Sequence, residues 1–67
     1  MNEFKITNYL LEWNINTNSG RIILELLGRP TQFVDPIDFE NFIVLTKVLA
    51  KGNAWIRNGN IIFNKFS

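Results

Sequence analysis

Residues 35–52 read DPIDFENFIVLTKVLAKG and predict the single helix of the chain. Asp35 is a suitable N-cap and Pro36 suits the first helical position, where its missing N–H costs nothing. Acidic residues gather at the start of the segment and lysines near its end, an order that complements the helix dipole. Gly52 is a typical C-terminal stop. The segment therefore predicts a helix that begins after Asp35 and ends before Gly52.

The chain before this helix alternates apolar and polar residues, as half-buried strands do. Residues 3–15 follow this period of two, except that the apolar parity changes near Thr7-Asn8, where we expect a β-bulge. Residues 16–20 are a turn cluster in which Gly20 can supply a positive φ. Residues 21–27 predict a second strand, and residues 31–34 are the candidate for a short third strand. The connections are too short for parallel crossovers, so the strands form an antiparallel meander.

Asn58-Gly59 separates two apolar runs after the helix, residues 54–57 and 60–63. Asn-Gly in this position is a strong hairpin signal, because a type I′ turn needs a positive φ at both central residues. A two-residue loop pairs Arg57 with Asn60. It also places Trp55 beside Ile62 on one face and Ile56 beside Ile61 on the other.

These segments predict one small α+β domain spanning residues 1–67. Its element order is β-β-(β)-α-β-β, a small antiparallel sheet with one helix packed across it. On the helix, the residues expected to face the sheet are those that fall on one side at a rotation of 100° per residue; we call them the core stripe. The expected core comprises Leu11, Trp13, Ile22, Leu24, Leu26, Phe39, Phe42, Ile43 and Leu49.

The predicted helix has too little polar surface for an element covered by one small sheet. Apolar residues also lie opposite its core stripe, and large exposed apolar patches usually mark interaction sites. Scattered surface hydrophobes are the ordinary alternative. Ile61-Ile62-Phe63 could in addition form a sheet edge that accepts a partner strand. The candidate interface is Ile37, Val44, Leu45, Val48, Ile61, Ile62 and Phe63.

The composition excludes several classes of site. The 67 residues include no cysteine and no histidine, which removes thiolate and imidazole chemistry, disulfides and the usual zinc sites. A chain this short rarely gains more than roughly 3–5 kcal/mol from its own hydrophobic core. Since disulfides are excluded and a structural metal is disfavoured, we expect a homo-oligomer, most simply a dimer, and no cofactor.

Targeting signals are not expected either. Met1-Asn2-Glu3 opens acidic, no secretory leader is recognisable, and no apolar run is long enough to span a membrane. The expectation is therefore a soluble cytoplasmic protein without membrane association.

Catalysis is not expected, because no nucleotide-binding loop, nucleophile elbow or other catalytic motif is present. Glu12 and Glu25 could meet across the first hairpin, but surface carboxylates of this kind are usually solvated. Asp35, Asp38 and Glu40 are explained better by helix capping than by a metal site, since hard cations need more converging oxygens.

Nucleic-acid binding is the alternative function. The C-terminal hairpin combines cations with aromatic side chains, a composition that suits single-stranded bases. The candidate residues are Trp55, Arg57, Lys65 and Phe66. Against this, the net charge is only +1, whereas such domains are usually strongly basic. A self-associating or protein-interaction module of otherwise unknown function is therefore favoured over a nucleic-acid binder.

Overall fold

A computed structural model describes residues 3–65, which build a five-stranded antiparallel sheet with one helix packed across it. The spatial strand order is β3-β2-β1-β4-β5, so β1 is the central strand. The α+β class and the optional third strand are both confirmed. The elements are β1 (Glu3–Asn14), β2 (Ser19–Leu26), β3 (Arg29–Ile37), α1 (Phe39–Ala50), β4 (Ala54–Arg57) and β5 (Ile61–Asn64).

The β1–β2 hairpin follows the predicted alternation. Its register shifts once, between Ile6 and Asn8, which confirms the expected bulge. β1 ends at Asn14, one residue early, because the Asn14 side-chain oxygen accepts two backbone N–H groups of the turn. The positive φ of this turn lies at Asn18 and not at Gly20, which is a buried residue of β2.

The start of the helix differs from the prediction by one turn. Phe39 is the first helical residue and Asp38 the N-cap, whose Oδ1 accepts the Asn41 backbone N–H at 2.9 Å. Asp35 instead belongs to β3, which continues to Ile37. Ile37 is buried there. Full burial of an isoleucine is worth about 1.5–3 kcal/mol, which outweighs a further exposed helical turn.

The β4–β5 turn has three residues, 58–60, and not the predicted two. Asn58 and Gly59 do adopt the expected positive φ angles, and the Asn60 N–H donates to the Arg57 carbonyl at 3.2 Å. The additional loop residue moves every cross-strand pair by one position, so Arg57 lies opposite Ile61.

This change of register decides which face each β5 side chain occupies. Ile56 pairs with Ile62 on the core side, and Trp55 pairs with Phe63 on the outer side. The predicted Trp55–Ile62 and Ile56–Ile61 pairs are therefore wrong.

The core consists of aliphatic side chains only, among the residues described. Four predicted members are confirmed (Ile22, Leu24, Leu26 and Leu49), and four were not predicted (Ile6, Ile37, Ala54 and Ile56). Trp13 and Phe42 are half-buried, and Phe42 packs against the core. Leu11, Phe39 and Ile43 are exposed, so their assignment to the core is wrong.

The helix is rolled relative to its predicted orientation. Leu49 is buried and Leu45 packs on the core, whereas Phe39 and Ile43 face outwards. At 100° per residue this is a rotation of roughly 70°. The end of the helix is attached to β5, because the Asn64 Nδ2 donates to the Val48 and Gly52 carbonyls at 2.9 and 2.8 Å.

Candidate interaction surfaces

The central strand β1 is only partly covered by its neighbours. β2 pairs with β1 over residues 6–14, but β4 pairs with residues 3–5 alone. Within the described chain, residues 8–14 of β1 are therefore paired on one side only. We call the unpaired side of residues 8–14 the β1 edge. Alternate backbone N–H and C=O groups point outwards along such an edge.

Side chains of β1 next to this edge are also more exposed to solvent than their partners on β2. Leu11 and Ile22 are direct cross-strand partners on the same sheet face, yet Ile22 is 0% exposed and Leu11 36%. The same contrast holds between buried Leu24 and half-buried Tyr9. The helix thus covers β2 completely and leaves β1 incompletely covered, one strand spacing of about 4.8 Å away.

Aromatic side chains continue this exposed surface onto the helix. Trp13 contacts Phe39 edge-to-face, with ring centroids 5.7 Å apart, and contacts Phe42 at 5.5 Å. Phe42 is half-buried, but Phe39 is exposed. We define the edge patch as Leu11, Trp13 and Phe39. The periodicity of the sequence did not identify it, because Leu11 and Phe39 fit the pattern of core residues.

The predicted helix-face interface is only partly available. Ile37 is buried in β3 and is no part of the helix, so its assignment to an exposed helix stripe is wrong. Leu45 packs on the core and Val48 is half-buried. Val44 remains, at 57% exposure, on the solvent side of the helix.

The predicted β5 edge is divided between the two faces of the sheet. Ile61 is exposed, whereas Ile62 packs against the core. Phe63 is half-buried on the outer face, with the Arg57 guanidinium 4.5 Å above its ring. Only Ile61 of this segment offers a freely exposed apolar side chain.

A second exposed apolar group crosses the outer face of the sheet. Leu10 on β1 pairs with Ile23 on β2, which pairs with Phe33 on β3, so the three side chains form one row. Leu10 and Phe33 are exposed. The Arg21–Glu12 ion pair, at 2.7 Å, borders this row.

Three of the four candidate nucleic-acid residues, Trp55, Arg57 and Lys65, lie together on the outer face of the C-terminal hairpin. The Lys65 Nζ is 4.4 Å from the centre of the Trp55 ring, and Arg57 covers Phe63 in the same way. Lys5 lies directly opposite Trp55. We call this group the cation–aromatic face. Phe66, the remaining candidate, lies outside the described residues.

A carboxylate neutralises part of the cation–aromatic face. Glu3 accepts hydrogen bonds from Lys65 Nζ at 3.3 Å and Arg57 Nε at 3.0 Å. The hydrogen bond from Lys65 is the largest cause that lowers the pKa of Glu3 from its ordinary value. Desolvation opposes it, and the hydrogen bond from Arg57 and the two positive charges add to the lowering. Three cations and one carboxylate leave the face moderately positive.

Glu12 and Glu25, which could have met across the first hairpin, lie apart. Glu12 lies opposite Arg21 and Glu25 opposite Asn8, so the two glutamates are separated by the row containing Leu10 and do not meet. A cleft of about 780 Å³ at the end of the first hairpin is lined by several polar residues, including Glu12, Arg21 and Asp35. Glu12 is already ion-paired with Arg21 in it.

Two further features bear on function. Residues 3–65 contain no group of three or more acidic side chains placed to hold a metal ion. Within the same residues, no helix is long and apolar enough to cross a bilayer.

Comparison of the chain with protein-family models, with curated proteins and with solved structures finds no match.

Proposed function

We propose that this protein is a non-catalytic module that self-associates, most simply as a homodimer, through apolar surface that its own core does not use. The observation that carries this proposal is the exposure of large apolar side chains at several places on one small domain. They include Leu11, Phe39 and Val44. Leu11 and Phe39 lie on either side of Trp13, which contacts Phe39, and contiguous exposed apolar patches mark interaction sites.

The size of the core supports the same proposal. Eight aliphatic side chains are buried, and none of the aromatic residues described is fully buried. The chain has no disulfide to supplement this core. A second subunit would remove further apolar surface from water at about 25 cal/mol per Å². A typical interface buries about 800 Å² per partner, roughly a sixth of the 4890 Å² that this chain exposes.

Light scattering on a sizing column, from micromolar to millimolar protein, tests self-association. We expect a molar mass of twice 7.8 kDa that persists on dilution into the micromolar range. A mass of one chain at every concentration would contradict the proposal.

Single-stranded nucleic-acid binding is the second candidate, and the cation–aromatic face is the observation that favours it. Lys5, Arg57 and Lys65 surround two aromatic rings that bases could stack on. The cations already lie over these rings, however, and Glu3 binds two of them. A base would have to displace both kinds of contact.

Fluorescence anisotropy of a labelled single-stranded oligothymidylate at low salt tests this second candidate. Binding through this face should weaken as salt rises and should weaken further in Lys5→Glu. Lys51→Glu, at the end of the helix, is the matched control because it removes the same charge elsewhere. Absence of salt-dependent binding, or equal loss in both variants, would exclude this face as a nucleic-acid site.

A further inference from the structure

The β1 edge is the least protected edge of the sheet. Natural sheets guard their edges with proline, lysine, bulges or very short strands. β3 carries Pro30 and Pro36 and two register shifts, and β5 has only four residues. Residues 8–14 of β1 contain no proline, lysine or bulge, and their one charged residue, Glu12, is ion-paired with Arg21. An unguarded edge of seven residues beside exposed apolar side chains is a site for strand addition.

The residue types along this edge are symmetric about Leu11, except at Leu10 and Glu12. Residues 8–14 read NYLLEWN, with asparagine at both ends, an aromatic residue inside each, and Leu11 at the centre. Two copies of such a segment match each other when they run antiparallel. This symmetry points to a second copy of the chain as the occupant, since a two-fold interface must be self-complementary.

We infer that two copies pair antiparallel along the β1 edge, with Leu11 of one opposite Leu11 of the other, an inference that rests on the proposed self-association. In this register the strands follow one another as β3-β2-β1-β1-β2-β3 across the two copies, while β4 of each copy stays paired with residues 3–5 on the same side of β1. It places Tyr9 opposite Trp13 of the second copy and Asn8 opposite Asn14. Aromatic cross-strand pairs are among the more favourable pairs in antiparallel sheets.

The backbone groups match in the same register. Outward-pointing groups belong to alternate residues, either the odd or the even positions of residues 8–14. A two-fold axis at Leu11 maps each of these sets onto itself. Every outward N–H and C=O along the edge therefore meets a partner in the second copy.

Charge also favours this register. Glu12 falls opposite Leu10 of the second copy and keeps its own ion pair with Arg21. A shift by two residues in one direction sets Glu12 against its own equivalent, and like charges directly opposite are destabilising. A shift in the other direction sets Trp13 opposite Thr7 and Tyr9 opposite Leu11, so the aromatic cross-strand pair is lost. The Leu11-centred register avoids both costs.

The register also accounts for the most exposed large apolar side chain described. Ile15 is 83% exposed in the first turn. One position beyond the Asn14–Asn8 pair, it reaches Thr7 of the second copy. Thr7 borders a cleft of about 470 Å³ that is lined by Tyr9, Leu49 and other residues. The pairing thus brings an exposed apolar side chain to a partly apolar cleft.

Charge-swap variants at the symmetry centre test the inference. Leu11→Lys and Leu11→Glu each place like charges directly opposite one another, so each alone should be monomeric in light scattering. Their equimolar mixture should recover the dimer, because lysine then faces glutamate. Val44→Lys tests the alternative interface on the helix face, where Val44 is exposed; if the β1 edge is the interface, this variant should remain dimeric.

A cysteine variant tests the pairing without relying on variants that could be monomeric because they are unfolded. The chain has no cysteine, so Leu11→Cys introduces one thiol per copy. Under mild oxidation it should form a covalent dimer far faster than Val44→Cys, with an unchanged circular dichroism spectrum. Slow, equal cross-linking of the two variants would overturn the register.

The outcomes separate the two proposals. A monomeric wild type overturns self-association and the edge pairing together. If both Leu11 variants remain dimeric and Val44→Lys is monomeric, self-association is retained. The edge pairing is then overturned, and the helix face is the interface. Folded monomeric Leu11→Lys and Leu11→Glu whose mixture stays monomeric would overturn the Leu11-centred register.

Discussion

Gly20→Ala is expected to destabilise the protein, because the Phe42 ring lies directly over this glycine. A β-carbon added at Gly20 would lie 2.8 Å from Phe42 Cε1 and 3.0 Å from Cγ, and still nearer to Cδ1. Ordinary carbon contacts are about 3.5–4.0 Å, so the ring must retreat by about 1 Å. Phe42 also packs against Trp13 and the core, which resist this movement.

Two opposing effects determine the size of the loss. Replacing a strand glycine by alanine normally stabilises by about 0.4–1 kcal/mol through the unfolded chain. Overpacking a core typically costs 1–3 kcal/mol. The overpacking term is larger, so we expect a net loss of about 1–2 kcal/mol. For a domain of this size that lowers the Tm by about 4–16 °C.

Urea denaturation followed by circular dichroism at one fixed protein concentration measures this loss. The control is a double-mutant cycle with Phe42→Leu, whose side chain lacks the ε carbons and has more freedom to move. In that background Gly20→Ala should cost about 1 kcal/mol less than in the wild type. An unchanged or raised stability in Gly20→Ala, or the same cost in both backgrounds, would refute the steric argument.

Three further substitutions give expected outcomes measurable by the same denaturation. Asp38→Ala should cost about 0.5–2 kcal/mol through loss of the observed N-cap, whereas Asp35→Ala should change stability by less than about 0.5 kcal/mol. Leu24→Ala, at a fully buried site, should cost about 2.7–5 kcal/mol and leave much of the protein unfolded, whereas Leu10→Ala, at a 54% exposed site, should be mild. Since the folded-state pKa of Glu3 lies below its unfolded value, its stabilising effect is present above the unfolded pKa and is lost as the pH falls through the folded pKa. The Tm advantage of wild type over Glu3→Gln should therefore shrink on acidification; a constant difference would contradict this linkage.

Local signals in the sequence predicted most of the architecture. Period-two alternation located β1 and its bulge, and Asn58-Gly59 located the last turn with the correct positive φ angles. These features depend on residues within a few positions of one another. Local conformational preference and turn chemistry are sufficient to specify them.

The predictions from sequence were wrong where two local conformations are both compatible with the residues. Asp35 and Asp38 are both adequate helix caps, and burial of Ile37 in β3 selected the second. A two-residue and a three-residue loop both suit Asn58-Gly59. The three-residue loop brings Ile62 to the core side and leaves Ile61 exposed, so packing agrees with the longer loop.

The sequence alone determined the order of the elements, with the third strand left optional, the antiparallel sheet and the absence of thiol and imidazole chemistry, because each follows from residue type and short-range spacing. Only the tertiary structure decided the roll of the helix, the pairing of β4 with residues 3–5 alone, and hence the open β1 edge. Those depend on contacts between distant segments, such as Phe42 over Gly20 and Asn64 at the helix C-terminus. The sequence shows which residues are apolar and how they are spaced. Which apolar residues stay in water depends on how far the neighbouring elements extend.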